Sequence, residues 1–332
     1  MQRVSGSKWG IVWMRKFIVQ KCLNGERIDK VLCKNFKNLS KGAMHKAFRK
    51  RDVKVNGVRV KAEERVFEDD EVEVFLKDEI LDGVLTGEKR EEVVTNLVRE
   101  LDVIYEDSNL LVLNKSQGIM VHEDDGDEVS VIEVVEFYLR GKCTPMLCHR
   151  LDRNTGGLLM IAKNKKAFEF LSEKIKQKKV KKFYTCILNG SLKRAQDELV
   201  AYLKKIDSKG RVFVWDNQVK GSLIIKTGYR VLKELSVKEQ DLNFSLVQAH
   251  LITGRTHQLR AHFAHIGHPI LGDGKYGINR MNKRFNVYWQ CLWATRLEFD
   301  FGKEDEAFSY LDKKIFEVKP GFKIEGLELE YD

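Results

Sequence analysis

Long hydrophobic runs are missing from this 332-residue chain. The longest apolar stretches, such as LLMIA at 158–162, are far shorter than the roughly 20 residues that a membrane-spanning helix needs. Basic side chains occur near the start, but no apolar core of signal-peptide length follows them. We therefore expect no membrane span and no secretion, and we expect the protein to work in the cytoplasm.

Cysteine pairing motifs are also missing. Six cysteines are scattered along the chain without any C-x-x-C pair. This spacing is typical of reduced thiols, so we expect neither disulfides nor a structural zinc ion. Internal repeats and low-complexity tracts are absent too, and a hydrophobic content of 43% predicts a folded chain with one large domain and one small domain.

Positive charge, in contrast, is plentiful and unevenly placed. The formal net charge is +10. Residues 15–62 hold 15 Lys and Arg against three Asp and Glu, a local excess of 12, so the rest of the chain is close to neutral or slightly acidic. A basic excess confined to one short segment indicates a surface that meets a polyanion. A solvated, solubilising face is the alternative that charge alone leaves open.

The basic segment has the pattern of a small domain with helices and strands. Apolar residues fall at helical spacing over 25–36, and a second short helix is predicted over 40–52. Alternating valines around Asn56 and Gly57 predict two strands joined by a tight turn. A further strand is predicted over 71–76.

Three segments follow from these patterns. Residues 14–77 form the small α/β domain, with Met14 as a candidate initiator because the residues before it match nothing that follows. The acidic and polar range 78–100 lacks a strand pattern and is predicted to be a linker. Strand-like runs dominate 101–325, where helices are predicted only near 130–140, 164–178 and 256–266. This larger segment is predicted to be an α+β domain around a mostly antiparallel sheet.

The strongest motif is CHRLDRNTGGLLMIAKN at 148–164. It resembles the signature of the RluA family of pseudouridine synthases, in which a His-Arg-Leu-Asp run precedes a Thr, a Gly and an apolar strand. The stretch AHLITGRTHQLRAHFAHIGHPILGDGKYG at 249–277 is similar to the family's other long signature. The chain departs from the family at Asn154, where an acidic residue is more frequent, and at Gly156 and Trp293, where Ser and His are more frequent.

The resemblance implies a reaction and the residues that perform it. Pseudouridine formation breaks the bond between uracil and ribose, turns the base and rejoins it through carbon 5. Asp152 would attack carbon 1 of the ribose or take a proton from the neighbouring carbon, giving a glycal; the sequence leaves both routes open. Tyr184 would stack on the uracil and help to remove the carbon 5 proton. Arg260 would pair with Asp152, and Arg150 would fill the place of the extruded uridine.

Other residues of the two signatures are expected near the RNA. The resemblance implies that His149, Arg255 and His257 line the site or hold its loops. Taken singly, Asp152 has a structural alternative as the cap of a turn, and Tyr184 has one as a core residue. The full motifs favour the catalytic interpretation of both.

The basic segment resembles the RNA-binding domain named after ribosomal small-subunit protein four. That domain presents basic residues from its helices and hairpin to structured RNA. The positions that would form this surface are Lys41, Lys46, Arg49, Lys50, Arg51 and Lys54. Contacts from Lys and Arg to phosphate give affinity with little sequence choice, so this domain would dock the enzyme rather than select the nucleotide.

Two patterns within 249–277 suggest other chemistries. The glycines of LGDGKYG have the spacing of a dinucleotide-binding loop, but they follow a helix rather than a strand. His257, His262, His265 and His268 suggest a metal site, yet Asp273 is the only acidic residue close to them in the sequence. We expect no cofactor and no metal ion, and we expect these histidines to face RNA or the core.

The sequence therefore predicts an isomerase that forms pseudouridine in structured RNA. We expect it to act as a monomer on large-subunit ribosomal RNA, with transfer RNA as the alternative substrate. A non-catalytic RNA-binding or ribosome-assembly protein is the rival class, although binding alone would not require Asp152, Tyr184 and Arg260. An N-glycosidase is a further rival, but the motif holds no second carboxylate near Asp152 to activate water.

Overall fold

The described part of the chain folds into two compact units. The computed structural model describes residues 15–36, 39, 41–50, 52–76, 88–122, 129–206, 211–237, 242–302 and 306–324. Within these ranges it contains seven α-helices and 15 strands. Among the described residues, one unit ends at Val93 and the other begins at Val94.

The first unit packs two helices on a small antiparallel sheet. Its elements are β1 (Arg15–Ile18), α1 (Ile28–Asn35), α2 (Lys41–Lys50), β2 (Val53–Val55), β3 (Val58–Arg59) and β4 (Glu71–Val74). The strands lie in the order β1-β4-β2-β3. Asn56 and Gly57 have φ angles of 50° and 78°, as the tight turn of a hairpin requires. The two helices and the hairpin predicted for this segment are therefore confirmed.

A third helix lies in the range that we predict to be a linker. Helix α3 (Glu88–Arg99) occupies the part of 78–100 that the structure describes. Val94, Leu97 and Val98 follow one another at helical spacing, and Val94 is buried. This part of the range lacks a strand pattern because it forms a helix with one apolar stripe.

The second unit is built on one large sheet. Its strands are β5 (Val103–Glu106), β6 (Leu110–Lys115), β7 (Met146–Leu147), β8 (Gly156–Ala162), β9 (Val180–Asn189), β10 (Gln196–Ile206), β11 (Arg211–Trp215), β12 (Leu223–Val237), β13 (Leu242–Leu251), β14 (Leu292–Phe299) and β15 (Ile315–Glu317). They lie in the order β11-β10-β12-β13-β9-β14-β8-β6-β5, with β15 beside β14 and β7 beside β8. Among the described strands, only β14 and β8 pair in parallel. The predicted α+β fold with a mostly antiparallel sheet is confirmed.

Four helices accompany this sheet, and three of them occur where the sequence predicts them. They are α4 (Val131–Leu139), α5 (Lys165–Lys176), α6 (Gln258–His265) and α7 (Asn279–Arg284). Of these four helices, only the short helix α7 was not predicted.

Strands β6 and β8 of the large sheet are buried on both faces. Along β6, Leu111 and Leu113 contribute to one hydrophobic cluster, whereas Leu110 and Val112 contribute to another. Successive residues of a strand point to opposite faces, so a strand that is covered on both sides must be apolar throughout. This explains the continuous apolar run in β6 and the matching run in β8. The loop that carries Asp152 leads directly into β8.

Candidate active site

Asp152 lies in a loop between β7 and β8 that backbone contacts hold in place. We call residues 148–155 the Asp152 loop. The amide of Thr155 donates a hydrogen bond of 3.0 Å to the carbonyl oxygen of Asp152. The buried ammonium of Lys115 donates to the carbonyl oxygen of Arg153 at 3.0 Å. The carboxyl group of Asp152 stays 27% exposed, so a substrate can reach it.

Arg260, on α6, joins the exposed carboxylate of Asp152 to a buried one. Its Nη1 donates to Oδ2 of Asp152 at 2.8 Å. On its other side, Nε and Nη2 donate to the two oxygens of Asp273 at 2.7 and 3.0 Å. Burial by itself lowers the pKa of Arg260, but the hydrogen bonds and charges of the two carboxylates raise it overall. Asp273 therefore fixes the guanidinium so that one edge is presented to Asp152.

Asp273 is a second carboxylate close to the site, but it cannot serve as a base for water. Its side chain is fully buried and accepts hydrogen bonds from Arg260 and from the amides of Lys275 and Tyr276. Burial raises the pKa of this carboxyl, and the bonds from Arg260 and the amides lower it by more. The residue acts as a fixed negative charge beneath Arg260.

His257 and Tyr276 form the wall beside this array. The guanidinium of Arg260 lies 5.3 Å from the ring centre of Tyr276. The hydroxyl of Tyr276 accepts a hydrogen bond from the amide of Val212 and lies 2.9 Å from Nδ1 of His257. His257 Nε2 then lies 3.8 Å from Oδ2 of Asp152. His257 holds a left-handed backbone at φ 54°, a conformation often found at functional sites.

Tyr184 lies in β9, where it is only 5% exposed. Its strand neighbours are Ala249 on β13 and Ala294 on β14, two small residues that leave room around the ring. Burial raises the pKa of the Tyr184 hydroxyl, and the negative charge of Asp152 raises it further. The phenol is thus neutral at ordinary pH and lies within the electrostatic influence of Asp152.

The structure brings together Asp152, Arg260, Tyr184 and His257, whereas the other predicted residues take varied positions. Arg150 and Arg255 are exposed. His149 turns inwards, and its Nε2 accepts a hydrogen bond of 3.1 Å from the amide of Met160 in β8. Burial lowers the pKa of His149 to about 3, so its ring is neutral.

The predicted docking residues of the first unit are mostly exposed where the structure describes them. Lys46, Arg49 and Lys50 are exposed on α2. Lys54 is partly buried, with its ammonium 4.8 Å from the ring centre of Phe75. The side chain of Lys41 and the whole of Arg51 lie outside the described residues.

The four histidines whose spacing suggests a metal site each have a different partner. His257 faces Tyr276 and Asp152, His262 bonds Thr227, His265 bonds Asp216, and His268 bonds the carbonyl oxygen of Asn189. In the ranges that the structure describes, no three His, Cys, Asp or Glu side chains are grouped to hold a metal ion. The LGDGKYG loop, with its dinucleotide-like spacing, supplies Asp273 and Tyr276.

Sequence reasoning missed Asp273, Tyr276 and Lys115 as parts of the site. The first two stand in the loop that we set aside for its glycine spacing. Lys115 ends β6 and donates to the carbonyl oxygens of Ser116, Ile119 and Arg153. Burial lowers its pKa to about 7, although the charge of Asp152 opposes this shift. For Lys115, the sequence did offer a signal, namely a lysine at the end of a largely apolar strand.

Two departures from the family pattern lie against each other. A Cβ atom at Gly156 would lie 2.4 Å from the ring of Trp293, far inside van der Waals contact. The Trp293 indole donates to the side-chain oxygen of Asn114 at 3.1 Å, which fixes the ring over β8. A serine at 156 would collide with this ring, so the large residue at 293 requires the glycine.

Comparisons with known proteins identify relatives of this chain. Residues 109–265 match the family model described as RNA pseudouridylate synthase. The chain is 34% identical over 280 residues to ribosomal large subunit pseudouridine synthase C of Vibrio parahaemolyticus, covering 82% of each. It is 33% identical over 297 residues to the protein of that name from Haemophilus influenzae, covering 86% of this chain and 87% of the relative.

Solved structures show the same fold at lower identity. Human RNA pseudouridylate synthase domain containing 4 aligns with a TM-score of 0.54 at 23% identity, covering 69% of this chain and 93% of that one. Together, the fold, the site and the relatives define an RNA pseudouridine synthase, an isomerase that converts uridine to pseudouridine. The chain belongs to the RluA family of these enzymes.

Proposed function

We propose that Asp152 is the residue that reacts with the target nucleoside and that Arg260 positions it. The observation that carries this proposal is the array in which Arg260 bridges the partly exposed Asp152 and the buried Asp273. A carboxylate that is held by a rigid guanidinium and still open to substrate suits attack on carbon 1 of the ribose. It equally suits removal of the proton from the neighbouring carbon.

We propose that Tyr184 and Arg150 handle the flipped base. The Tyr184 hydroxyl is protonated before the reaction, because burial and the charge of Asp152 raise its pKa. The ring supports the uracil by stacking, and its hydroxyl relays the carbon 5 proton to water, taking that proton on its oxygen as it releases its own. Arg150 is exposed in the Asp152 loop, where its side chain can fill the place that the uridine leaves in the RNA stem. His149, Arg255 and His257 hold or line this loop region.

Large-subunit ribosomal RNA is the substrate that we propose. The relatives at 34% and 33% identity carry the name ribosomal large subunit pseudouridine synthase C. The exposed basic residues of α2 suit docking on structured RNA, as in the domain named after small-subunit protein four. We further propose that the enzyme acts as a monomer in the cytoplasm. All six cysteines are free thiols, and no described helix is long and apolar enough to cross a membrane.

Pseudouridine mapping on unmodified transcripts tests these assignments. Transcribed large-subunit ribosomal RNA and transfer RNA are incubated with purified protein, and pseudouridines are read as carbodiimide-dependent reverse-transcription stops. We expect stops on the ribosomal RNA with wild-type protein and with Asp216→Asn, which changes an exposed partner of His265. Asp152→Asn should give none.

Each outcome of this mapping bears on a separate assignment. Unchanged stops with Asp152→Asn would remove Asp152 from the reaction. Stops confined to transfer RNA would replace the substrate and leave the chemistry in place.

A further inference from the structure

The chain between Asp273 and Glu298 is rich in basic and aromatic residues and contains no Asp or Glu. Within it, residues 278–289 run through helix α7 and end shortly before strand β14. We call this segment the 278–289 arm. None of the residues assigned above to the reaction lies in this arm.

The inner face of the arm is anchored to the loop that carries Asp273. Asn282 is buried and accepts a hydrogen bond of 2.8 Å from the amide of Gly272. Its own amide group donates to the carbonyl oxygen of Asp273 at 3.1 Å. Phe285 packs edge-to-face on Phe244, with ring centres 5.1 Å apart. The arm is therefore held firmly on the catalytic unit.

The end of the arm lies against the Asp152 loop. A Cβ atom at Gly118 would lie 3.4 Å from the ring of Trp289. The amide of Gly118 donates to the carbonyl oxygen of Arg153 at 3.0 Å. Directly after the arm, Nε2 of Gln290 donates to the hydroxyl of Thr155 at 2.8 Å. These contacts place the end of the arm beside the loop of the proposed nucleophile.

The outer face of the arm is exposed and carries two kinds of side chain. Tyr288 is 74% exposed and Trp289 is 50% exposed. Arg280, Lys283 and Arg284 are also exposed, and none has an ion-pair partner in the part of the chain that the structure describes. Exposed rings beside uncompensated basic groups are typical of surfaces that bind single-stranded nucleic acid, because rings stack on bases and cations meet phosphates.

We propose that the rings of Tyr288 and Trp289 stack on unpaired bases next to the target uridine, while the basic face of α7 neutralises phosphates of the same strand. This inference rests on the enzyme's action on RNA. Extruding a uridine removes its stacking on both neighbours, so those bases gain from a new aromatic partner. Because the arm is fixed to the Asp152 loop, the bases that it meets are close to the reacting nucleotide.

Binding of a fluorescent oligouridylate to the whole protein tests the aromatic part. Tyr288→Ala should weaken binding about tenfold, the equivalent of ~1.4 kcal/mol, within the range for loss of one stacked base. Tyr288→Phe keeps the ring and should bind like the wild type. Phe137→Ala, which removes a 44% exposed ring from α4, is the matched control and should also bind like the wild type.

The salt dependence of the same binding tests the basic part. The triple variant Arg280→Gln, Lys283→Gln and Arg284→Gln should lower the slope of log affinity against log salt by about 2, since each phosphate contact on a single strand contributes about 0.7. Tyr288→Ala should leave this slope unchanged. If Tyr288→Ala bound like the wild type, or no more weakly than Phe137→Ala, the stacking role would be overturned. An unchanged slope in the triple variant would overturn the phosphate role.

Turnover on transcribed ribosomal RNA separates this inference from the proposed substrate. Tyr288→Ala should raise KM and leave kcat close to the wild-type value, because the ring binds a flanking base and not the reacting one. A wild-type enzyme that left ribosomal RNA unmodified would refute the substrate, while the oligouridylate result would still decide the arm. A fall in kcat with KM unchanged would count against a flanking-base role.

Discussion

At the scale of single residues, Arg260 depends on a fully buried carboxylate, that of Asp273. Asp273 takes two of its N–H groups and leaves one edge for Asp152. A lone arginine on α6 could adopt several rotamers, and each would present a different donor to Asp152. The buried carboxylate selects one of them, so the position of Asp152 is set by a residue 121 positions later in the chain.

Asp273→Asn should therefore damage both stability and activity. The substitution leaves the Arg260 guanidinium buried with half of its charge partners, and breaking a buried pair in this way costs about 3 kcal/mol of unfolding free energy. Pseudouridine formation should fall strongly, because Arg260 is then free to leave Asp152. Urea denaturation and turnover on transcribed RNA measure the two effects.

A surface ion pair provides the control for this prediction. Asp216 is 86% exposed and contacts His265 at 2.7 Å. Exposed pairs contribute little to stability, so Asp216→Asn should resemble the wild type in both assays. Equal behaviour of the two variants would show that burial of Asp273 has no bearing on Arg260.

At the scale of elements, strands β8 and β14 show how two unusual residues support one packing arrangement. The strands pair in parallel, with Trp293 opposite Gly156 and Ala294 opposite Gly157. Gly156 faces the side chain of Trp293, whereas Gly157 faces the backbone of Ala294. These contacts respond differently to substitution, although they are one residue apart.

Gly156→Ser should destabilise the protein by about 2 kcal/mol, because the new Cβ atom overlaps the Trp293 ring. Adding Trp293→His, which makes room, should recover part of this loss and give a coupling energy of about 1 kcal/mol in a double-mutant cycle. Thermal or urea unfolding of the four proteins measures the cycle.

Gly157→Ala is the matched control for this cycle. Gly157 has φ 108°, and a Cβ atom there would lie 2.2 Å from the carbonyl oxygen of Ala294, which no change at residue 293 can move aside. The loss of unfolding free energy caused by Gly157→Ala should therefore be the same with tryptophan or histidine at residue 293. If Gly156→Ser lowered the unfolding free energy equally with tryptophan and with histidine at residue 293, the proposed compensation would be contradicted.

At the scale of the whole molecule, charge and chemistry are assigned to different parts of the chain. The segment 15–62 carries the basic excess, and the array of Asp152, Arg260 and Asp273 lies in the other unit. Phosphate contacts increase affinity without selecting a nucleotide, whereas contacts to the bases select the sequence. Under the proposed function, the basic segment would therefore supply RNA affinity and the array would supply the reaction.

Replacing the exposed basic residues of α2 tests whether this helix binds RNA phosphates. The triple variant Lys46→Gln, Arg49→Gln and Lys50→Gln should lower the salt dependence of binding to transcribed ribosomal RNA, with a slope smaller by about 2. Lys30→Gln is the control, because Lys30 on α1 already pairs with Glu26. At saturating RNA, kcat should stay at the wild-type value. A slope equal to that of Lys30→Gln would refute docking by this surface.

The sequence by itself determined the helices and hairpin of the first unit, the α+β class of the second unit and the family. These features follow from local signals: hydrophobic periodicity, the turn residues Asn56 and Gly57, and two long motifs. The same motifs predicted that Asp152 and Arg260 would meet, and the structure brings them within 2.8 Å.

Only the tertiary structure decided what lies around that pair. Asp273 and Tyr276 stand in a loop whose glycine spacing suggested a nucleotide, and nothing local shows that its carboxylate turns under Arg260. The reciprocal fit of Gly156 and Trp293 depends on the parallel pairing of strands that are more than a hundred residues apart. Such contacts are invisible to periodicity, because periodicity reports which face of an element is buried and not what it is buried against.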